Sequence, residues 1–454
     1  MAKPIIQYVC SSCGAKAPQM LGRCPVCGEW GTYEEEVDSI DTRATRRGAG
    51  SRTAAQPQRL QDVEASEEMR IDMHNGELNR VLGGGLVPGS LVLLGGEPGI
   101  GKSTLALQVL MQQGERKTFY ASGEESVRQL KLRAERLSGN ADNLYISSET
   151  SLERILEQVK ELEPEIVVID SIQTIGTDAI DASIGSLSQV RECAARILEF
   201  AKTRNIPFII IGHINKEGSL AGPKVLEHIV DTVLQFEGDQ QYMYRILRAQ
   251  KNRFGSTAEL GIYEMRQDGL REVSNPSELL LSTAREGLSG IAIAAAVEGV
   301  RPFLIEVQAL VSSAAYGTPQ RSSTGFDGRR LNMLLAVLEK RVGFKLLQKD
   351  VFLNIAGGLR VQDPAIDLAV LAAVLSSNMD IALDAGTCLC GEVGLAGEIR
   401  SVNRIEQRIA EAQKLGFRRI LIPAEHKIDT KRYTIEVVPV KKVTDAFRLL
   451  IVKK

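Results

Sequence analysis

A glycine-rich segment at residues 96–104, GEPGIGKST, matches the pattern G-x-x-x-x-G-K-[S/T] in full. In that pattern successive backbone N–H groups turn towards a β-phosphate, a lysine reaches the β- and γ-phosphate oxygens, and a hydroxyl binds Mg²⁺. Lys102 and Ser103 hold the last two positions. The segment therefore predicts a site for ATP or ADP with Mg²⁺, lined by Gly96, Glu97, Pro98, Gly99, Ile100, Gly101, Lys102, Ser103 and Thr104.

Three acidic residues follow predicted strands and could complete the chemistry of this site. Asp170 ends the apolar run EIVVID, where a carboxylate can bind the water shell of Mg²⁺ or, alternatively, cap a following helix. Glu124 and Glu125 follow the run that ends at Ser122, where a carboxylate could orient or deprotonate the attacking water. Glu124 is preferred because it leaves the strand first, whereas Glu125 could cap the next helix. Both stay candidates.

The N-terminal segment carries two C-x-x-C pairs. Each such turn directs two sulfur atoms at one point, and two turns complete the tetrahedral thiolate site that Zn²⁺ prefers. Gly14 and Gly28 follow the pairs and suit turns with positive φ. A redox pair and an accidental clustering of cysteines are the alternatives. The predicted zinc ligands are Cys10, Cys13, Cys24 and Cys27.

These candidate residues fall between alternating apolar runs and amphipathic segments. Short continuous apolar runs predict buried parallel strands. The predicted strands are LVLLG (91–95), KTFYAS (117–122), EIVVID (165–170), PFIIIG (207–212) and DTVLQFE (231–237). One intervening helix has an apolar face formed by Leu152, Ile155, Leu156, Val159 and Leu162. The pattern predicts an α/β fold with a mostly parallel, doubly wound sheet.

At 454 residues the chain is too long for one ordinary domain. Past residue 275 the pattern changes to a strand pair around a Gly-Val turn, a leucine-striped helix and a small-residue helix, which predicts a separate α+β domain. A polar, charged stretch after the cysteines predicts a flexible linker. The predicted organisation is a zinc ribbon at 1–33, a linker at 34–59, a P-loop α/β domain at 60–275 and an α+β domain at 285–454.

The formal net charge is −2, so no overall field steers the protein towards nucleic acid or a membrane, and polyanions would have to bind at local patches. No apolar run reaches the length of a membrane span, and the first residues lack the core of a signal peptide. We therefore expect a cytoplasmic protein with no membrane partner.

Two cations, Lys251 and Arg253, stand at the end of the alternating run YMYRILRAQ, just before Gly255. Such a pair is either ordinary surface charge or aimed at an anion. Hydrolysis of ATP develops charge on the γ-phosphate that a second cation can stabilise. Because the pair lies far along the chain from the P-loop, the expected target is the ATP of a neighbouring subunit, in a ring or filament.

Several segments together resemble the bacterial RadA (Sms) family. They are the four-cysteine segment, GEPGIGKST, YASGEES (120–126), GHINKEGSLAGPKVLEHIVDTVLQFEGD (212–239) and KNRFG (251–255). The resemblance covers essentially the whole chain and implies a RecA-like ATPase core that forms hexameric rings on single-stranded and branched DNA. It further implies a DNA-dependent ATPase and helicase-type motor that drives branch migration in recombinational repair, with a RecA-type recombinase as a partner. In related ring helicases a K-x-R pair at the corresponding strand end acts in trans, which Lys251 and Arg253 would do here.

RecA-like folds place DNA-contacting loops after the strands that here end near residues 170 and 212. By that resemblance Lys216 and Lys224 would meet phosphates, and His213 would sense the γ-phosphate and pass its state to the loop. The other loop, 171–189, has no basic residue and carries small residues suited to mobility. Ordinary loop charge and a structural histidine are the alternatives.

Two segments of the region from about 285 to 454 are VFLNIAGGLRVQDPAIDLAVLAAVLSS and CGEVGLAGEIRSVNRIEQRIAEAQKLGFRRILIP. They resemble the stretches of the proteolytic domain of Lon that carry its catalytic serine and lysine. Ala365 stands where that family has its catalytic serine and Glu406 where it has its lysine, so we expect no peptidase activity. The segment 327–350 is rich in basic residues. Lys345 and Lys349 could bind duplex DNA there, or the segment could be a solvated helix face.

Two other functions remain open from the sequence. One is a KaiC-like regulatory ATPase without a DNA role, which would need no four-cysteine ribbon and would not respond to single-stranded DNA. The other is an ATP-dependent protease, against which Ala365 and Glu406 argue.

Overall fold

The structure is a computed structural model. It describes residues 5–10, 16–25, 28–38, 69–137, 139, 141–213, 223–238, 244–275, 277, 280–282, 287–314, 319–358 and 360–451. The chain divides into two compact units. The first comprises Met1–Glu237, Ile246–Thr257 and Tyr263–Glu272, and the second comprises Gly238–Arg245, Ala258–Ile262 and Val273–Lys454.

The first strands of the chain form a small antiparallel sheet in the order β2-β1-β3. β1 spans Ile5–Cys10, β2 spans Lys16–Ala17 and β3 spans Tyr33–Asp38. The predicted linker at 34–59 therefore begins too early. Its acidic start looks like solvated coil, but the backbone of this run pairs with the apolar strand β1 through Asp38. The rest of that predicted linker lies outside the described residues.

The P-loop unit is built on a sheet of nine described strands in the order β12-β11-β10-β9-β4-β8-β7-β5-β6. Strands β4 to β9 run parallel, and β10 and β12 pair antiparallel with β9 and β11. The strands are β4 Leu91–Gly96, β5 Thr118–Ser122, β6 Leu144–Ser148, β7 Ile166–Asp170, β8 Phe208–His213, β9 Thr232–Glu237, β10 Tyr244–Asn252, β11 Leu260–Arg266 and β12 Gly269–Glu272. The five predicted strands all form, and the α/β prediction is confirmed.

Helices cover both faces of this sheet. Alternate residues of β4 show it: Leu91 and Leu93 belong to one buried cluster, whereas Val92 and Leu94 belong to the other. The predicted apolar face of α4 is buried except for Leu162, which is half-buried against the same core. The helices are α1 Gly76–Leu82, α2 Lys102–Met111, α3 Val127–Ala134, α4 Leu152–Leu162, α5 Leu187–Arg204 and α6 Pro223–Ile229.

The second unit contains a mixed sheet of seven described strands in the order β15-β16-β14-β13-β17-β20-β21. The strands are β13 Ile291–Glu298, β14 Arg301–Ser313, β15 Arg321–Thr324, β16 Lys349–Ile355, β17 Thr387–Leu389, β20 Arg419–Pro423 and β21 Glu436–Val440, with a separate pair of β18 Glu392–Val393 and β19 Ile399–Arg400. The helices are α7 Gly328–Val337, continued as a π-helix at Leu338–Val342, α8 Asp367–Met379, α9 Ile405–Lys414 and α10 Val443–Leu450. α8 is buried from Asp367 to Ser376, which the predicted small-residue helix allows. The α+β prediction is confirmed.

Candidate nucleotide site

Four neighbouring parallel strands, β4, β8, β7 and β5, end at the same edge of the sheet. The P-loop follows β4, His213 ends β8, Asp170 ends β7, and Glu124 follows β5. Backbone register places Gly96 opposite His213, and Ser122 opposite Asp170. The edge therefore gathers one predicted functional group from each of four chain segments, as ligand sites in open parallel sheets require.

Helix α2 begins at Lys102, directly after two P-loop glycines with positive φ, Gly99 at 76° and Gly101 at 114°. A Cβ on Gly101 would lie 2.8 Å from the terminal methyl of Met265, and its φ of 114° would strain any residue other than glycine. The Lys102 ammonium donates to the carbonyls of Gly96 and Glu97 at 2.8 and 2.9 Å. Burial lowers the pKa of Lys102 to about 8, although nearby carboxylates oppose that shift.

Asp170 is only 2% exposed, and its two carboxylate oxygens have different environments. Oδ2 accepts a hydrogen bond from the Tyr120 hydroxyl at 2.5 Å. Burial, and then the charge of Asp170, raise the pKa of Tyr120 well above its ordinary value, so the phenol keeps its proton. Oδ1 is buried without a hydrogen-bond partner among the described residues. An oriented carboxylate oxygen with unused acceptor capacity suits a water of hydrated Mg²⁺, with Ser103 as the hydroxyl ligand.

Glu124 is the better placed of the two glutamates. Its Oε1 accepts hydrogen bonds from the Ser171 hydroxyl at 2.6 Å and from His213 Nε2 at 3.0 Å. Burial acts to raise the pKa of Glu124, but these two bonds and the Lys102 charge outweigh it and leave the pKa below its ordinary value. The carboxylate is thus held ionised beside Lys102. Neither Ser171 nor this use of its hydroxyl was singled out from the sequence.

Glu125 points elsewhere and forms an ion pair with Arg133 of α3. The sequence had allowed Glu125 to cap α3, but the structure shows that it does not. Ser126 is the N-cap, and Gln129 completes a capping box with it. The sequence pattern S-x-x-Q could have shown this, since it is a known signal for a helix start.

Lys251 and Arg253 lie at the opposite edge of the sheet from the P-loop of their own chain. Lys251 is opposite Val233 in β9, and Val233 is opposite Leu93 in β4. Strand β4 runs from Leu91 towards the P-loop, so the pair stands beside its first residues. Three residues of strand, or roughly 10 Å, separate the level of Leu93 from the start of the P-loop at Gly96. The pair faces away from the nucleotide site of its own chain.

The comparisons with known proteins agree with this architecture. Family models match at residues 54–219 (AAA domain), 8–35 (rubredoxin metal binding domain) and 329–426 (subunit ChlI of Mg-chelatase). The DNA repair protein RadA of Bacillus subtilis is 51% identical, with 99% of each chain covered. The chain belongs to the RadA family. The RadA proteins of Halalkalibacterium halodurans and Listeria monocytogenes are 47% and 48% identical, with 99% and 98% of each chain covered.

Two solved structures are similar over 45% of this chain and 99% of their own. They are a KaiC-like protein of Pyrococcus horikoshii, with 20% identity and a TM-score of 0.38, and the RadB recombinase, with 21% identity and a TM-score of 0.36. Among the described residues, no helix combines the length and apolarity needed to cross a bilayer.

Half of the zinc site predicted for this RadA-family chain can be located. Cys10 and Cys24 are both buried, and the Tyr33 hydroxyl lies 3.7 Å from the Cys24 sulfur. Gly28 has a φ of 79°, as predicted for the turn after the second pair. Cys13, Cys27 and Gly14 lie outside the described residues, so the complete ligand set stays a prediction.

The loop 171–189 is more firmly held than its small residues suggested. Ile172 and Ile175 are buried in the core, and the buried side chain of Gln189 donates to the carbonyls of Thr177, Ile180 and Ala182 at 3.1, 3.3 and 2.9 Å. The expectation of a mobile loop is therefore wrong for its first half. The sequence did not predict these contacts, because a glutamine in a helix with a polar pattern gives no sign that its side chain is buried against the preceding loop.

The predicted DNA contacts are only partly within the described residues. Lys216 lies outside them, and Lys224 falls in α6. Lys345 is exposed, and Lys349 is half-buried with its amine 3.4 Å from the Ser313 hydroxyl. These four lysines stay predictions. One member of the basic segment 327–350 is not a surface charge, since Arg330 is paired with the fully buried Asp367.

The two positions predicted to correspond to the Lon dyad hold alanine and glutamate. Ala365 is fully buried in the core, and Glu406 is exposed on α9. Two residues further along the same helix, Arg408 is completely buried and donates to the Asp363 carboxylate at 2.6 Å and to the Ala295 carbonyl at 2.7 Å. This buried ion pair was not predicted, because its partners are far apart in the sequence.

Proposed function

We propose that this RadA-family protein is a DNA-dependent ATPase of recombinational DNA repair. It would act as a ring-forming, helicase-type motor that binds single-stranded and branched DNA and drives branch migration. The names of its close relatives support the repair role. The ATPase assignment rests chiefly on the P-loop, Asp170 and Glu124 meeting at one sheet edge.

Each residue of that edge has a defined task in this proposal. Lys102 and the P-loop amides bind the phosphates, and Asp170, aligned by Tyr120, orients a water of the Mg²⁺ shell. Bound Mg²⁺ would neutralise phosphate charge with Ser103 as its hydroxyl ligand. Glu124, kept ionised by Ser171 and His213, orients the attacking water and accepts its proton. Glu125 has no part in hydrolysis.

The position of Lys251 and Arg253 supports an assembly with shared sites. The pair stands at the opposite edge of the sheet from its own P-loop, which supports the ATP of another copy as its target. Contacts of this kind between identical subunits are heterologous and close into rings when the rotation permits. We propose a homo-hexamer in which each pair completes the neighbouring site.

The remaining assignments follow from the same function. His213 contacts Glu124 at the exit of β8, just before residues 214–222, and would link nucleotide state to DNA contacts by Lys216 and Lys224. Lys345 and Lys349 would bind duplex DNA. Zn²⁺ on the N-terminal cysteines, a RecA-type recombinase as partner, a cytoplasmic location and the absence of peptidase activity complete the proposal.

A subunit-mixing experiment tests the shared site. Lys102→Ala removes the phosphate lysine but leaves Lys251 and Arg253, so this variant is the donor. The double variant Lys251→Ala/Arg253→Ala keeps its own P-loop and is the acceptor. Each is expected to be inactive alone. In an equal mixture roughly half of the acceptor sites should face a donor and regain hydrolysis. Mixtures that stay inactive at every ratio would refute action in trans.

Single-stranded DNA provides the second test. The wild-type rate of ATP hydrolysis is expected to rise when an oligonucleotide is added, and the increase should shrink with salt because phosphate contacts release counterions. A rate that ignores DNA at all salt concentrations would favour a regulatory ATPase instead.

A further inference from the structure

The side chain of Asp231 is a buried carboxylate immediately before β9, at the edge of the sheet where Lys251 and Arg253 stand. It is 1% exposed. Its Oδ2 accepts a hydrogen bond from the backbone N–H of Leu91 at 3.1 Å and lies 2.9 Å from the Lys202 ammonium. Its Oδ1 lies 3.3 Å from a terminal nitrogen of Arg253. One buried charge is thus shared by two cations that both extend into solvent.

Lys251 is held by different atoms. Its ammonium donates to the carbonyls of Glu227 and Val230, at 2.6 and 2.7 Å, at the C-terminal end of α6. A helix C-terminus favours a cation there, since its last carbonyls lack partners within the helix. Burial, and then the charge of Arg253, lower the pKa of Lys251. Two of its three N–H donors are used in these bonds, which leaves one for an outside ligand.

The backbone that carries the pair is fixed as well. The Arg253 N–H donates to the Asp231 carbonyl at 3.2 Å. Between the two cations, the Asn252 amide donates to the Val81 and Leu82 carbonyls at 3.2 Å and accepts from the Phe254 N–H at 2.9 Å. This strand end is therefore a built element and differs from two flexible surface side chains.

We propose that Asp231 is a positioning residue that holds the Arg253 guanidinium at the outer edge of the subunit, ready to enter the neighbour's nucleotide site. The inference rests on the proposed action of the pair in trans. A guanidinium has five donors, and the contact with Asp231 leaves most of them for phosphate oxygens. When Arg253 turns towards the neighbouring phosphate, Lys202 still neutralises Asp231, so no buried charge loses all its partners.

Asp231→Asn tests this role with little change in shape. The asparagine oxygen can still accept the Leu91 N–H, while the charge that attracts Arg253 is gone. The variant is placed once in the donor, as Lys102→Ala/Asp231→Asn, and once in the acceptor, as Lys251→Ala/Arg253→Ala/Asp231→Asn. Each is mixed with the unaltered form of the other partner, and hydrolysis in the mixture is measured with assembly checked by light scattering.

We expect rescue to fall about fivefold when Asp231→Asn is in the donor, and to persist when it is in the acceptor, because only the donor's pair is used. The matched control is Glu165→Gln in the donor. This change also removes one charge from an ion pair, the one between Glu165 and Arg116. Glu165 directly precedes β7, which is separated from β9 by two strands of the sheet, so rescue should not change.

Three results would overturn the inference. Equal loss in both placements would assign Asp231 a purely structural role. Full rescue in both would show that Arg253 needs no positioning by this carboxylate. Failure of the unaltered donor to rescue the acceptor would refute the action in trans itself, and the role of Asp231 with it, and this outcome is seen before Asp231 is altered.

Discussion

Replacing Glu124 by glutamine is the sharpest test of the hydrolytic site. Glutamine has the same shape, and its side-chain oxygen can still accept the bonds that Ser171 and His213 donate to the carboxylate at 2.6 and 3.0 Å. The amide cannot take a proton from water. The change therefore removes the chemistry of a general base and keeps its surroundings.

The size of the effect follows from that role. General bases contribute about 10²–10⁴-fold to a rate, which corresponds to roughly 2.7–5.4 kcal/mol of activation free energy. We expect kcat of Glu124→Gln to fall within that range. ATP affinity should change only a few-fold, because Lys102 and the P-loop amides are untouched, as is the Asp170 carboxylate that Tyr120 aligns.

The assay is single-turnover hydrolysis with bound ATP measured separately, so that binding and chemistry are distinguished. Glu125→Gln is the matched control. It removes an adjacent carboxylate that pairs with Arg133, and hydrolysis should stay within about twofold of wild type, the scale of a surface ion pair. Equal loss in the two variants, or a Glu124→Gln rate above one tenth of wild type, would refute the assignment.

Three further outcomes can be checked. In His213→Ala, Glu124 loses a hydrogen bond that lowers its pKa, so the pKa of this carboxyl should rise. Hydrolysis needs the ionised carboxylate and is lost as pH falls through that pKa, so the acid limb of a pH-jump rate profile should move to higher pH. An unmoved limb would contradict the contact. Arg408→Met leaves the Asp363 carboxylate buried without its cation, which should lower the free energy of unfolding by about 3–5 kcal/mol. Calorimetry should then show the second unit melting about 10 °C lower, and an unchanged transition would contradict a stabilising ion pair. Zinc chelation, or Cys24→Ser, should increase hydrogen exchange in residues 5–38 and leave exchange in β4 to β9 unchanged; protection that persists after chelation would argue against a structural metal.

The sequence predicted the features that local patterns encode. Continuous apolar runs located β4, β5, β7, β8 and β9, because strands buried on both faces leave no other composition. It missed β6, Leu144–Ser148, which is a half-exposed edge strand with polar residues. The P-loop was also identifiable from a local pattern, since its residue spacing is fixed by one loop and the start of one helix.

Contacts between distant segments could not be predicted in this way. Tyr120 aligns Asp170, Ser171 holds Glu124, and Arg408 is buried against Asp363, yet none of these pairs has a sequence spacing that indicates its geometry. They depend on which strands become neighbours. The choice between Glu124 and Glu125 was open for the same reason, because only the position of β7 and β8 shows which carboxylate contacts Ser171 and His213.

The separation of Lys251 and Arg253 from their own P-loop determines how many complete ATP sites an assembly of a given size would contain. If every working site draws one half from each of two copies, a linear stack of n copies has n − 1 working sites, and its last pair and last P-loop stay idle. A closed circle of n copies has n. Turnover per protomer should therefore rise with length in open stacks and be constant in closed ones, so that a rate measurement at known particle mass reports whether the assembly has ends.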